Sequence, residues 1–196
     1  MNLRAVAYHE AGHAVARTEL RLPLRWVTII PSGDDAGATY GGHLPKAVRE
    51  WIEEGGYGRP AGIRDRLERE VMAILAGEVA QEIATGTTEG SAQYDDHPEY
   101  GRVIVDGDWH RVVDVLEELT GGDDEEVPLY SDLLRLRTQR LLRQPYVWAH
   151  VEVVAEALLG QKRLTGREVR DLRRPAGERA LAGAGSITRG SSVPRL

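Results

Sequence analysis

Apolar side chains recur at helical spacing in the first segment, Leu3 to Leu20, where Leu3, Val6, Ala7 and Ala14 share a face and no proline intervenes before Pro23. The spacing predicts a helix. Trp26-Val27-Thr28-Ile29-Ile30 is a β-branched and aromatic run bounded by Pro23 and Pro31-Ser32-Gly33, which predicts a strand and a turn, with Ala38-Thr39-Tyr40 as a second strand. A short helix is expected from about Pro45 to Glu54, stopped by Gly55-Gly56. The longest helical pattern is Ile63 to Ala84, with Val71, Leu75, Val79 and Ile83 on one stripe and Arg64, Asp65, Arg66 and Glu68 in its polar opening turns.

Residues 86 to 107 are rich in Gly, Thr, Ser and Asp and read as a long connection. Helical spacing resumes from Asp108 to Leu119 through Val112, Val115, Leu116 and Leu119, and Gly121 to Pro128 reads as an acidic loop. Two further helices are predicted at Ser131–Arg143 and Tyr146–Leu159, with Leu133, Leu136, Val153, Val154 and Ala157 assigned to the core. Thr165-Gly166-Arg167-Glu168 has the spacing of a capping box opening a last short helix. The residues after Arg174 are small, rich in Gly, Ser and Ala and without period, so 175–196 is expected to be a disordered tail. Helices outnumber strands. The reading is a mainly α-helical α+β domain over 1–174, in which a core of 1–120 with a small N-terminal β-sheet precedes a C-terminal helical part at 129–174.

Composition narrows the chemistry. The chain of 196 residues carries 25 Lys+Arg against 31 Asp+Glu, a formal net charge of −6, which disfavours a protein that grips nucleic acid through bulk positive charge. There is no cysteine, so disulfides, thiolate zinc sites and thiol nucleophiles are excluded together and only His, Asp and Glu remain to bind a metal. No apolar run approaches the roughly 18 residues of a membrane span, and MNLRAVAYHEAGH lacks a signal-peptide core. The expectation is a soluble cytoplasmic protein with neither nucleic-acid nor membrane partners.

His9-Glu10-Ala11-Gly12-His13 is H-E-x-x-H and falls within the first predicted helix. Residues four apart lie one turn apart on the same face, so the imidazoles of His9 and His13 can converge on one ion, for which zinc is the usual occupant. Glu10 stands beside them, placed to take a proton from water.

A wider likeness accompanies the motif. VAYHEAGHAV, then WVTIIPSG, Gly37-Ala38-Thr39 and Leu44-Pro45 resemble in order and spacing the start of the FtsH-type zinc metallopeptidase domain. LAGEVAQEIATGTT at 75–88 is similar to that family's Gly-Arg-Ala-Ala-Glu-Glu helix and Thr-Thr-Gly loop, and ALLGQKRLTGREVRDL at 157–172 resembles its closing helices. The resemblance implies His9 and His13 as zinc ligands, Glu10 as catalytic base, and as third ligand an Asp that soon follows the Thr-Thr-Gly loop and opens a helix. Asp95, Asp96, Asp106 and Asp108 compete for that place. Asp108 is chosen because Val112, Val115 and Leu116 follow it at helical spacing, whereas Asp95 and Asp96 precede Pro98 and Gly101. His97 and His110 are read as solvated side chains. The family's Arg is Glu78 here and its first Glu is Gln81, while Glu82 is retained and is a candidate to orient a ligand histidine.

Three protein ligands would leave a fourth position for water, the arrangement of a catalytic site. The resemblance therefore implies a zinc endopeptidase acting on unfolded or small polypeptides, with the strand at 38–42 similar to the family's substrate-binding edge. No G-x-x-x-x-G-K-[ST] loop is present, so the expectation is a peptidase domain alone, ATP-independent unless a separate ATPase or adaptor delivers substrate. A zinc-binding adaptor that holds peptides without cleaving them is the alternative. Oligomeric state is not legible.

Overall fold

The structure is a computed structural model and describes residues 2–32, 36–41, 48, 50, 61–86, 94–97, 101–104 and 107–187. Its elements run α1 (Leu3–Glu19), β1 (Trp26–Thr28), β2 (Ala38–Tyr40), α2 (Ala61–Thr85), β3 (Tyr94–His97), β4 (Gly101–Ile104), α3 (Gly107–Thr120), α4 (Glu126–Leu142), α5 (Pro145–Gln161), β5 (Arg163–Thr165), α6 (Gly166–Asp171) and α7 (Arg173–Ile187). The fold is mainly helical with a small three-stranded antiparallel sheet in the order β2-β1-β5.

α1 begins where the Asn2 side chain accepts the Arg4 N–H at 3.0 Å, which satisfies one of the unpaired donors of its first turn. It is buried along nearly its whole length, from Ala5 to Arg17. Its small residues allow this. A Cβ at Gly12 would lie 2.3 Å from the Ala76 carbonyl oxygen, so only glycine lets α1 and α2 come this close. On its other side Tyr8 stacks on Trp148 of α5 with ring centroids 5.9 Å apart.

α2 joins two cores. Ala73, Ala76, Val79 and Ala80 pack with α1, α5 and the sheet, while Leu67, Val71, Ile74 and Leu75 pack with Val112, Leu116 and Leu119 of α3 and Val127 and Leu134 of α4. The helix that packs against α1 is thus also the one that fixes α3. Buried charge ties the same elements. Arg17 of α1 donates to Glu70 Oε2 of α2 at 2.9 Å and to the Pro23 carbonyl at 2.7 Å, and Arg66 donates to Glu70 Oε1 at 2.6 Å. Burying these charges without partners would be costly, so the cluster specifies one register of α1 against α2.

The sheet differs from expectation in one strand. β1, shorter than the expected 26–30, and β2 are the two expected strands and pair with Val27 opposite Thr39, but β1 also pairs with β5 (Val27 opposite Leu164), a segment whose three residues carry no strand signal of their own. The turn that delivers β5 is Lys162 at φ 66, the left-handed cap of α5, whose carbonyl accepts from Ile29 N–H and Thr28 Oγ1, each at 2.9 Å. The capping box predicted at Thr165 and Glu168 is present.

Four further expectations are corrected. The 86–107 connection contains an antiparallel hairpin, β3 with β4. α4 starts at Glu126 rather than Ser131, tolerating Pro128 in its first turn. The expected disordered tail instead continues as α7 to Ile187, held by buried Ala176 and by Arg179, which donates to Glu156 of α5 at 3.0 Å; residues 188–196 lie outside the described residues. Leu133 and Leu136, expected in the core, are 40% and 43% exposed, and the buried residue on that turn is Leu134. The short helix expected at 45–54 lies outside the described residues apart from Val48 and Glu50.

Candidate metal centre

His9 and His13 project from one face of α1, and α3, held by α2, brings the first-turn residue Asp108 to the same point. His13 Nε2 lies 3.0 Å from His9 Nε2 and 3.0 Å from Asp108 Oδ2, and His9 Nε2 lies 3.3 Å from the same oxygen. Among the described residues these three form the one group of His, Asp or Glu able to hold a metal ion. Asp95 and Asp96 lie on β3, where only the backbone is described, and Asp106 lies outside the described residues. His97 is likewise on β3, and His110 is an exposed residue of α3.

The donor set fits a tetrahedral zinc ion. Ligands at roughly 2.0 to 2.1 Å from such an ion stand about 3.3 Å from one another, close to the separations found. The tautomer fits as well. His13 Nδ1 is 2.8 Å from the Ala73 carbonyl, and only a protonated ring nitrogen can donate there, so the lone pair of neutral His13 sits on Nε2 and faces the other two ligand atoms. Without an ion the cluster must be held by a proton. Burial pushes His13 down, but the charge and hydrogen bond of Asp108, with Glu10 and the Ala73 carbonyl, outweigh it and raise its pKa from 6.5 to about 9. Burial pushes Asp108 up, yet the facing His13 and His9 prevail and hold its carboxyl far below the usual carboxylate range. A divalent cation can replace that proton without altering the set of donors.

Glu10 is 5% exposed, and its Oε2 accepts from Thr39 Oγ1 of β2 at 2.7 Å. Glu82 does not orient a histidine. Its Oε1 accepts from Arg135 of α4 at 2.5 Å, and Arg135 also donates to Glu78 at 2.7 Å, so the carboxylates at 78 and 82 tie α2 to α4. The carbonyl of Ala73 does what Glu82 was expected to do.

Sequence reasoning missed Ala73, Thr39 and Gly77. A Cβ at Gly77 would fall 2.3 Å from His13 Nε2, so the missing side chain is the space in which the imidazole sits. The H-E-x-x-H spacing carries no signal for any of them. A glycine inside a strongly helical pattern was the only available hint for Gly77.

Comparison with known proteins points to one family. The chain is 31% identical, over 86% of its length, to the ATP-dependent zinc metalloprotease FtsH 3 of Symbiobacterium thermophilum, and 28% identical over 86% to an FtsH of Caldicellulosiruptor bescii. It is 34% identical over 97% of its length to the mouse mitochondrial inner membrane m-AAA protease component AFG3L2. It spans 29%, 30% and 26% of these relatives, less than a third of each. No protein-family profile matches the chain, and no helix among the described residues is long and apolar enough to cross a membrane. Identity near 30% over most of the chain supports its kinship with the FtsH family of zinc metalloproteases.

Proposed function

We propose that the chain is a zinc-dependent endopeptidase segment that hydrolyses polypeptides already unfolded, without ATP hydrolysis of its own. The observation that carries the reading is the convergence of His9, His13 and Asp108 with ligand atoms at most 3.3 Å apart, beside a buried Glu10. His9, His13 and Asp108 would hold the ion, and the kinship with zinc metalloproteases favours zinc as that ion. Bound by these residues, zinc would supply a Lewis acid to polarise the scissile carbonyl and to lower the pKa of a water there toward roughly 7. Glu10 takes the proton of that water and gives it to the departing amine, so one carboxylate serves as base and then acid.

β2 supports the choice of substrate. It ends the β2-β1-β5 sheet among the described residues, and an extended peptide can add to such an edge through main-chain hydrogen bonds. Only a chain without its own secondary structure can do so. The test is hydrolysis of a fluorescently labelled unfolded protein by the zinc-loaded chain in the absence of ATP. The parent should cleave, and Glu10→Gln should lower the rate by at least about 10²- to 10⁴-fold. Zinc bound with no cleavage by either protein would replace this reading with that of a peptide-binding adaptor.

A further inference from the structure

We infer that Thr39 is a positioning residue that holds the Glu10 carboxylate in its working orientation; this rests on the reading of Glu10 as the general base. Thr39 Oγ1 donates to Glu10 Oε2 at 2.7 Å and lies 3.3 Å from the Glu10 carbonyl oxygen, so the hydroxyl spans side chain and backbone of a single residue. The other carboxylate oxygen is also set by β2's approach. A Cβ at Gly37 would lie 2.7 Å from Glu10 Oε1 and 2.9 Å from the Thr28 carbonyl, so the chain entering β2 passes directly against the carboxylate.

The consequence is mechanical. A glutamate has three side-chain torsions, and a proton acceptor that must serve twice in one cycle gains rate from being held in one of their combinations. Packing at Gly37 limits one oxygen, and the Thr39 hydrogen bond fixes the other. The hydroxyl also needs its own acceptor in this part-buried place, so the pair satisfies both groups. Thr39 stands opposite Val27 in the β1–β2 ladder, on the strand proposed to receive the substrate. The residue that holds the base therefore belongs to the peptide track, and substrate seated on β2 would lie along the strand that positions the Glu10 carboxylate.

Thr39→Val keeps the shape and strand preference while removing the donor, and Thr39→Ser restores the donor. In zinc-loaded protein, Thr39→Val should lower kcat for the labelled unfolded protein by about 10- to 100-fold with KM unchanged, and Thr39→Ser should recover most of it. A second measurement does not depend on turnover. A peptide hydroxamate, whose acidic hydroxyl is placed to give its proton to Glu10, is titrated by calorimetry into the parent, Thr39→Val, Glu10→Ala and the double variant. Thr39→Val should weaken binding about 10-fold in the parent background and leave it unchanged when Glu10 is already absent. Zinc affinity, measured against a competing chelator, should be equal in all four. Equal weakening in both backgrounds, no weakening in either, or a kcat loss that Ser does not restore would overturn the inference. A parent that binds the hydroxamate with the expected coupling and yet cleaves nothing would uphold Thr39 while overturning the peptidase reading.

Discussion

His13 and His150 are both buried, both face a carboxylate from another helix, and both give one ring nitrogen to a main-chain carbonyl at 2.8 Å. They differ in which nitrogen is given. His13 donates Nδ1 to Ala73, which leaves Nε2, at the far end of the ring, for Asp108 and for His9 one turn back. His150 donates Nε2 to Val169 of α6, and its Nδ1 stands 3.7 Å from Glu19 Oε1, beyond hydrogen-bond reach. Glu19 turns its other oxygen to Arg173 at 2.9 Å. Burial beside a carboxylate therefore does not make a metal centre. What separates the two is convergence: the backbone carbonyl that selects the tautomer turns His13 Nε2 toward His9 and Asp108.

The largest expected effect removes the convergence outright. Asp108→Ala should lower zinc affinity by more than about 100-fold, beyond what loss of an outer-shell partner costs, as read by chelator competition, whereas Glu19→Gln should leave zinc affinity unchanged. Equal affinity in Asp108→Ala would mean that another group, such as Asp95, Asp96 or Asp106, is the third ligand.

Next in size is the proton that holds the metal-free cluster. His13 has a pKa raised from 6.5 to about 9, so folded protein keeps a proton that unfolded chain has lost over that interval. The stabilisation is full below about pH 6.5 and is lost as pH rises through 9, a change of about 3 kcal/mol at most. Denaturant unfolding of metal-free protein across that range should show the decline, and His13→Gln should abolish it. With zinc bound the proton is already displaced, and the decline should disappear.

A smaller effect tests the space around the ring. Gly77→Ala puts a methyl 2.3 Å from His13 Nε2, and the ring must rotate away from its partners to admit it. Zinc affinity should fall by about 10- to 100-fold, while Gly62→Ala, with open space around its Cβ on the same helix, should leave it unchanged.

These residues mark where sequence reasoning reaches and where it stops. The H-E-x-x-H motif is legible because both histidines lie within one turn of one helix, and helical spacing around Asp108 singled out the residue that the structure brings to them. Thr39, Ala73 and Gly77 are invisible because their roles arise from packing α1 against α2 and β2, across up to 64 positions between His13 and Gly77. α7 shows the same limit in the fold. Its Gly- and Ala-rich sequence has no helical period of its own, but Arg173 reaching Glu19 and Arg179 reaching Glu156 supply from outside the segment what local propensity lacks. β5 is legible as a cap and not as a strand, since only β1 makes it one. Leu133 and Leu136 fit an apolar period, yet α4 turns Leu134 and Thr138 inward instead.

The smallest effect reverses the sign found at His13. Burial pushes the His150 pKa down, and although the Val169 carbonyl and the Glu19 charge act in the opposite direction, with Arg173 adding to the fall, the net shift is downward. The unfolded chain then binds the proton more readily than the folded one, so stability is complete above about pH 6.5 and declines as pH falls below it toward the folded pKa. The slope from His13 fades below pH 6.5 and is common to parent and variant, so the difference between their profiles isolates His150 in the same metal-free samples. Unfolding measured between about pH 6.5 and 5 should therefore show falling stability in the parent and a flatter profile in His150→Gln. A parent profile that gains stability relative to the variant as pH falls would mean that Glu19 outweighs burial at His150. The two histidines would then share their electrostatics, and convergence alone would separate a metal centre from a structural pair.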